Sequence, residues 1–216
     1  MKFWAIDSPV MRVLGRLGDI IILNMIFVVG CIPVITIGTS LSALYAVAMK
    51  MARGEDPSVW KEFWKAYKRN FRPATICWLV MAVIAILLFV DFRIIGVLKR
   101  GSESMYSIMR IVLAVILGMW MLMFQYLFPY IARFENTVKQ TLKNAFLLMI
   151  RHLPWALLLL VILIASALSI YIIPVLLVVI PAVASIVFDF ILERLFRRYM
   201  SPEDLEREEE NDMYAS

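Results

Sequence analysis

The chain has 216 residues, of which 62% are hydrophobic and 18% charged, and its mean hydropathy is +0.83. Soluble domains are only about 45–50% apolar, so the composition excludes an ordinary soluble domain and indicates an integral membrane protein without a nucleic-acid partner. The net charge of +5 divides into about +11 for residues 1–200 and −6 for residues 201–216. This division predicts one transmembrane domain, residues 1–200. It also predicts an acidic, disordered cytoplasmic tail, residues 201–216.

The N-terminal residues, MKFWAIDSPVMRVLGRLGD, include two aspartates and no small-residue cleavage site, so the first apolar segment is expected to stay in the mature protein. The apolar run 17–49 follows. At 1.5 Å per residue it is too long for one comfortable span and barely long enough for two. Its midpoint, residues 31–40, reads CIPVITIGTS.

The distribution of Lys and Arg decides between one span and two, because loops on the cytoplasmic side carry an excess of these residues. With two spans, 17 cations lie on one side and 4 on the other, not counting Arg207 of the tail; with one span the tally is 14 against 7. The cations on the sparse side are Arg93, Lys99, Arg100 and Arg110. Two spans obey the rule better, and both termini are then cytoplasmic.

CIPVITIGTS is then the outer turn of a first helical hairpin. Pro33 and Gly38 supply the bend in this prediction. The hydroxyls of Thr36, Thr39 and Ser40 satisfy backbone groups that the bend leaves unpaired. Because both flanking spans are short, a single span followed by a partly re-entrant segment is the alternative.

Four further apolar runs are long enough to cross a membrane, and Pro174 alone separates the last two. The predicted fold is therefore all-α: a polytopic helical membrane protein with about six transmembrane helices in three hairpins. The predicted spans cover about 17–32, 35–49, 74–96, 107–131, 155–173 and 175–192.

Amphipathic, cationic segments precede the second and third hairpins and predict interface helices over about 57–72 and 136–152 on the cytoplasmic side. In the first of them, aromatic residues recur at helical spacing and cations fall largely on the other side. Two interpretations stay open, a docking surface for a partner protein and plain anchoring at anionic lipid headgroups. The residues concerned are Trp60, Phe63, Trp64, Tyr67, Phe71, Lys61, Lys65, Lys68, Arg69 and Arg72.

The residues offer little for catalysis, and no catalytic, cofactor or metal site is predicted. The chain has one histidine, His152, interpreted as structural, and no HExxH, GxSxG, P-loop or CxxC pattern. Cys31 and Cys77 both fall within spans, where small buried hydrophobes are expected.

Polar residues within the spans are the remaining candidates, since ionisable groups in hydrocarbon are costly and often functional. Asp91 and Arg110 are predicted to pair across the second hairpin. Asp189 and its neighbours lie near the inner end of the last span, where structural pairing is favoured over a conduction path. Asn24 and Gln125 are predicted to make hydrogen bonds between helices.

The stretch LGDIIILNMIFVVGCIPVITIGTSLSALYAVAMKMARGED, followed by WKEFWKAYKRNFRPATICWL, resembles the YesL family of bacterial membrane proteins, a domain of unknown function. The resemblance covers about residues 15–80 and rests on P-V-I-T-I-G, S-A-L-Y and F-W-K-x-Y-K-x-N-F. It implies a multi-pass protein of the bacterial plasma membrane, often encoded beside ATP-binding-cassette (ABC) importers for carbohydrates and polysaccharide-degrading enzymes. It supplies no catalytic or ligand-binding residue.

The predicted function is a non-catalytic accessory subunit of a carbohydrate ABC importer, with anionic lipids and importer permease subunits as partners. The alternative is a self-contained transporter or channel for sugars or other small solutes, suggested by prolines 129, 174 and 181, which could bend spans around a cavity. An intramembrane enzyme finds no support, because no nucleophile has a base in reach.

Overall fold

The computed structural model describes residues 9–97 and 103–200, and every regular element in these two ranges is helical, which confirms the all-α fold class. The predicted tail, 201–216, lies outside them. Two short 3-10 turns, Val34–Thr36 and Pro174–Val178, interrupt the α-helices. The α-helices are α1 (Pro9–Cys31), α2 (Ile37–Ala52), α3 (Val59–Val97), α4 (Glu103–Arg133), α5 (Val138–Arg151), α6 (Leu153–Ile172) and α7 (Ile180–Phe196).

Five helical segments among the described residues are long and apolar enough to cross a membrane, where the sequence predicted about six. The sixth predicted span, 175–192, is divided into the 3-10 turn Pro174–Val178 and the 17-residue helix α7. Proline causes the division, since Pro174 and Pro181 each lie in the first turn of a helix, where a missing N–H group does no harm. The five segments are Leu14–Cys31, Val34–Ala52, Val59–Ile95, Met105–Arg133 and Leu153–Ile172.

Helix α2 lies at the centre of the bundle, in contact with α1, α3, α4 and α7. Within the segment Val34–Ala52, 56% of the most apolar stretch is buried inside the protein, against 11% for α6. Small residues such as Thr39, Ser42 and Ala43 are fully buried there, because short side chains let neighbouring helices approach closely. The pairs α1–α2, α3–α4 and α6–α7 form the three predicted hairpins.

The chain turns between α1 and α2 at Pro33, whereas Gly38, predicted to share in the bend, lies away from it. Pro33 has extended backbone angles immediately before the 3-10 turn. The hydroxyl of Thr36 lies 2.9 Å from the carbonyl oxygen of Gly30 and 2.8 Å from that of Pro33. Gly38 instead lies inside α2. A Cβ atom there would meet Cβ of Trp78 at 2.5 Å and the Ala74 carbonyl oxygen at 2.8 Å, so Gly38 serves close helix packing.

Replacing Gly38 with alanine is expected to destabilise the protein by about 1–3 kcal/mol, because the added methyl group overlaps the backbone of α3. Gly118 in α4 is the matched control, since a Cβ atom there meets nothing within 4 Å. Gly118→Ala is expected to be neutral or slightly stabilising, because alanine favours helix. Denaturation of both variants by SDS in mixed micelles measures the difference, and equal effects would contradict the packing role.

Helix α3 continues through Pro73, whereas the sequence predicted a separate interface helix over 57–72 and a span starting at 74. Its 39 residues extend about 58 Å, well beyond the roughly 30 Å of a bilayer core. Packing explains the continuity, since Phe63, Ala74 and Cys77, on both sides of the proline, are fully buried. Next to the proline, the hydroxyl of Thr39 in α2 lies 2.9 Å from that of Thr75 in α3.

The second predicted interface helix, 136–152, corresponds to α5. Thr137 caps it by accepting a hydrogen bond from the backbone N–H of Gln140, whose side chain accepts one from the Thr137 N–H. Pro154 lies in the first turn of α6, directly after α5 ends.

Charged side chains gather at one end of the bundle, which we call the charged end. It comprises the last turns of α2, α4 and α7, the first half of α3, and α5. An apolar cluster beneath it packs α4, α5, α6 and α7 together, and a second one joins α1 and α2 to the start of α3.

Candidate functional site at the charged end

The predicted docking residues on α3 divide between the core and the surface. Phe63 is fully buried in the cluster that joins α1, α2 and α3, so it cannot be a surface anchor. Trp64 and Tyr67 are half-buried against the same cluster. Aromatic residues at helical spacing suit a helix that lies in a membrane interface, and they suit equally a helix packed on other helices. Here α1 and α2 offer an apolar surface, and the aromatic side chains pack against it.

The exposed residues of this helical segment form a surface that we call the outer strip. Trp60 is 61% exposed and Phe71 is 42% exposed, at the edge of the buried aromatic residues. Cations stand beside them on the solvent side. The outer strip consists of Trp60, Lys61, Lys68, Phe71 and Arg72, all of them exposed.

A cleft of about 200 Å³ lies on the other side of α3, between α2, α3 and α4. We call it the cationic cleft, because five cations and one carboxylate line it. Lys50 and Glu62 form an ion pair of 2.9 Å across it, and Arg69 donates a hydrogen bond of 3.2 Å to the carbonyl oxygen of Ala132. The charged lining residues are Lys50, Arg53, Lys65, Arg69, Arg133 and Glu62.

Glu193 of α7 joins the ends of three helices through one carboxylate oxygen. Its Oε1 atom lies 3.1 Å from Nη2 of Arg133, 3.7 Å from Nε of Arg197 and 3.9 Å from Nη1 of Arg53. The side chains of Arg133 and Glu193 are only 11% and 15% exposed, so this pair is little screened by water. The sequence indicated structural pairing for the neighbours of Asp189. The partners of Glu193 are Arg53, which follows α2, and Arg133 of α4, and both lie far away along the chain.

Asp189, one helical turn before Glu193, is fully buried. Neither of its carboxylate oxygens has a hydrogen-bond partner among the described residues. Arg53 and Arg133 are its favourable electrostatic neighbours, and Glu193 is the unfavourable one. The two arginines therefore interact favourably with both carboxylates of α7. These ion pairs can hold the ends of α2, α4 and α7 together.

The structure does not join Asp91 and Arg110 in an ion pair within the part of the chain that it describes. The guanidinium group of Arg110 instead stacks over the rings of Phe92 and Tyr106, with 5.5 Å to each ring centre. Asp91 is exposed. Consecutive residues of a helix point about 100° apart, so the face of α3 that presents Phe92 to Arg110 turns Asp91 away.

The two deep polar side chains make the predicted bonds between helices. Asn24 Nδ2 donates to the carbonyl oxygen of Leu177, and Gln125 Nε2 donates to that of Ala156 at 2.7 Å. Cys31 and Cys77 are free thiols, as expected of small apolar residues within spans.

His152 lies at the junction of α5 and α6, where its Nε2 atom is 2.9 Å from the hydroxyl of Tyr199. Partial burial and the neighbouring Arg151 and Arg198 lower the pKa of His152, because both disfavour the charged imidazolium. Arg151 stacks over the ring of Tyr199. These contacts fasten the end of the last helix to the α5–α6 corner, in keeping with the predicted structural role.

The match to a known protein family covers one part of the chain. A search of curated proteins and a search of solved structures find no match. Residues 20–92 match the model of a protein family of unknown function, DUF624. The matched range contains the second half of α1, all of α2 and most of α3, and thus the outer strip and much of the cationic cleft.

Proposed function

We propose that the chain is a non-catalytic accessory subunit of a carbohydrate ABC importer and that the outer strip docks on the importer's permease subunits. The observation that carries the proposal is the exposure of Trp60 beside Lys61, Lys68 and Arg72 at the charged end. The class of partner comes from the resemblance to the YesL family, whose members are often encoded beside such importers.

The outer strip has the composition of a protein-binding surface. Tryptophan and arginine contribute strongly to many interfaces, tryptophan most of all when a partner buries it, and the strip has one of each in Trp60 and Arg72. The neighbouring Phe63 and Ala66 are already packed in the core, so the helix that carries the strip is held in place before any partner arrives. Preorganisation of this kind lowers the entropic cost of association.

In this proposal the charged end faces the cytoplasm of a bacterial cell. Fourteen cations against six carboxylates in residues 50–72, 133–151 and 189–200 support that orientation, since cytoplasmic loops are rich in Lys and Arg. The exposed apolar side chains of α3, α4 and α6 then face the lipid. Anionic headgroups next to the cations are the second class of partner.

Trp60→Glu is expected to reduce co-purification of importer permease subunits at least tenfold, because it puts a carboxylate in place of the proposed apolar anchor. Purification of the tagged full chain from native membranes in a gentle detergent, followed by mass spectrometry, measures the yield. The variant should keep wild-type thermal stability, since the side chain is 61% exposed.

Lys139→Glu, an exposed change on α5 outside the outer strip, is the control and should leave the yield unchanged. Wild-type protein that elutes without any permease subunit would refute the proposal. Sugar flux into proteoliposomes that contain this chain alone would favour the alternative, a self-contained transporter.

A further inference from the structure

We infer that the acidic C-terminal segment of this chain, residues 203–212, binds in the cationic cleft. The inference is independent of the importer and concerns the chain alone. The cleft is cationic, the described chain ends beside it at Met200, and the residues that follow are acidic.

The charged end carries an excess of positive charge that an anionic partner would balance. Residues 50–72, 133–151 and 189–200 together carry 14 cations and 6 carboxylates. Four of these carboxylates, Glu55, Glu62, Glu135 and Glu193, already face arginine or lysine within 4 Å. Lys65 lines the cleft and is exposed, and no ion pair to it is seen among the described residues.

The path of the chain brings the tail to this place. Met200, the last described residue, lies with its sulfur 3.4 Å from Nη2 of Arg133, and Arg133 lines the cationic cleft. The contacts of Tyr199 with His152 and Arg151 hold this end of the chain against the bundle. Three to six extended residues cover about 10–20 Å, so a chain that leaves Met200 beside Arg133 is long enough for carboxylates from Glu203 onward to contact the cleft.

The composition of the tail complements the cleft. Residues 201–216 carry seven carboxylates and one cation, Arg207. Single ion pairs at a water-exposed surface are weak. A short tether, however, gives the tail an effective concentration on the order of millimolar at the cleft, and several weak contacts then act together. The carboxylates are Glu203, Asp204, Glu206, Glu208, Glu209, Glu210 and Asp212.

Zero-length cross-linking of the full chain with a carbodiimide tests the inference, because this reagent joins a carboxylate to a lysine amine only where they touch. The protein is held in nanodiscs of neutral phosphatidylcholine and digested for mass spectrometry. Lys50 and Glu62, 2.9 Å apart, supply an internal positive control for the reaction and for the fold. We expect cross-links from the tail to Lys65 at least fivefold more often than to Lys61, Lys139 or Lys143, which are exposed outside the cleft.

Charge reversal within the cleft provides the second arm. Arg69→Glu should reduce the Lys65–tail cross-link at least threefold, whereas Arg72→Glu, an exposed change outside the cleft, should leave it unchanged. Salt at 1 M shortens the Debye length to about 3 Å and should reduce the same cross-link. The Lys50–Glu62 cross-link should persist in both variants, which shows that they are folded.

Three results would overturn the inference. One is an equal yield at Lys65, Lys61, Lys139 and Lys143, which indicates undirected contacts of the tail. Another is a Lys65–tail cross-link that Arg69→Glu leaves intact. The third is a cross-link formed only between molecules, detected by mixing isotopically heavy and light chains, since the bound tail would then belong to a second copy.

Discussion

Replacing Glu193 with glutamine is expected to lower the free energy of unfolding by about 3–5 kcal/mol, the range found when one partner of a buried ion pair is removed. Its Oε1 atom lies 3.1 to 3.9 Å from guanidinium groups at the C-terminal ends of α2, α4 and α7. Glutamine keeps the shape of the side chain but not the charge. Arg53 and Arg133 are then left close together with Asp189 as the remaining buried carboxylate nearby.

Arg197→Gln is the matched control, because it removes another ion pair of the same Glu193 carboxylate. The side chain of Arg197 is 50% exposed. Exposed ion pairs contribute only about 0–1 kcal/mol, so the control should change the free energy of unfolding little. SDS titration in mixed micelles measures both variants. A loss for Glu193→Gln that is no larger than for Arg197→Gln would show that the network does not lock the helices.

Phe63→Ala is expected to cost about 3–5 kcal/mol, since removing a buried aromatic ring loses its packing and leaves a cavity. Phe63 is fully buried in contact with the residues that join α1 and α2 to α3, and its ring lies 5.7 Å from that of Trp64 and 6.1 Å from that of Tyr67. The damage should centre on the α1–α2 hairpin. Proteolysis of that hairpin should become faster, while α5 and α6 keep their protection.

Trp60→Ala offers the control on the same helix, because the residue is a larger aromatic that is 61% exposed. It should change the free energy of unfolding by less than about 1 kcal/mol, as surface substitutions usually do. If the two substitutions had equal effects on stability, the aromatic residues of α3 would lie in one environment, as the sequence alone suggested.

Local signals in the sequence predicted some elements almost to the residue. The helix predicted over 136–152 is observed at Val138–Arg151, and the helix predicted over 155–173 is observed at Leu153–Ile172. Amphipathic periodicity indicated the first helix and a long apolar run indicated the second, and both patterns can be read from neighbouring residues alone. The burial of Asn24 and Gln125 also followed from their surroundings in apolar runs.

Structural features that depend on residues far away along the chain could not be predicted from the sequence. The sequence around Pro73 was interpreted as a helix boundary, but α3 continues past this proline because it packs against α2 on both sides of it. Gly38 looked like a turn residue, but it is the place where α2 touches the backbone of α3. Arg110 looked like a partner for Asp91, but the rotation of α3 presents Phe92 to it.

By itself, the sequence determined that this protein is a bundle of apolar helices with one strongly cationic end, because composition and helical periodicity are local properties of the chain. Only the tertiary structure decided that Phe63 belongs to the core while Trp60 is exposed, and that Arg53, Arg133 and Glu193 meet at one point. Burial and ion pairing depend on which helices pack together. Arg53 directly follows α2, Arg133 ends α4 and Glu193 lies in α7, so the three come together only when the bundle has formed.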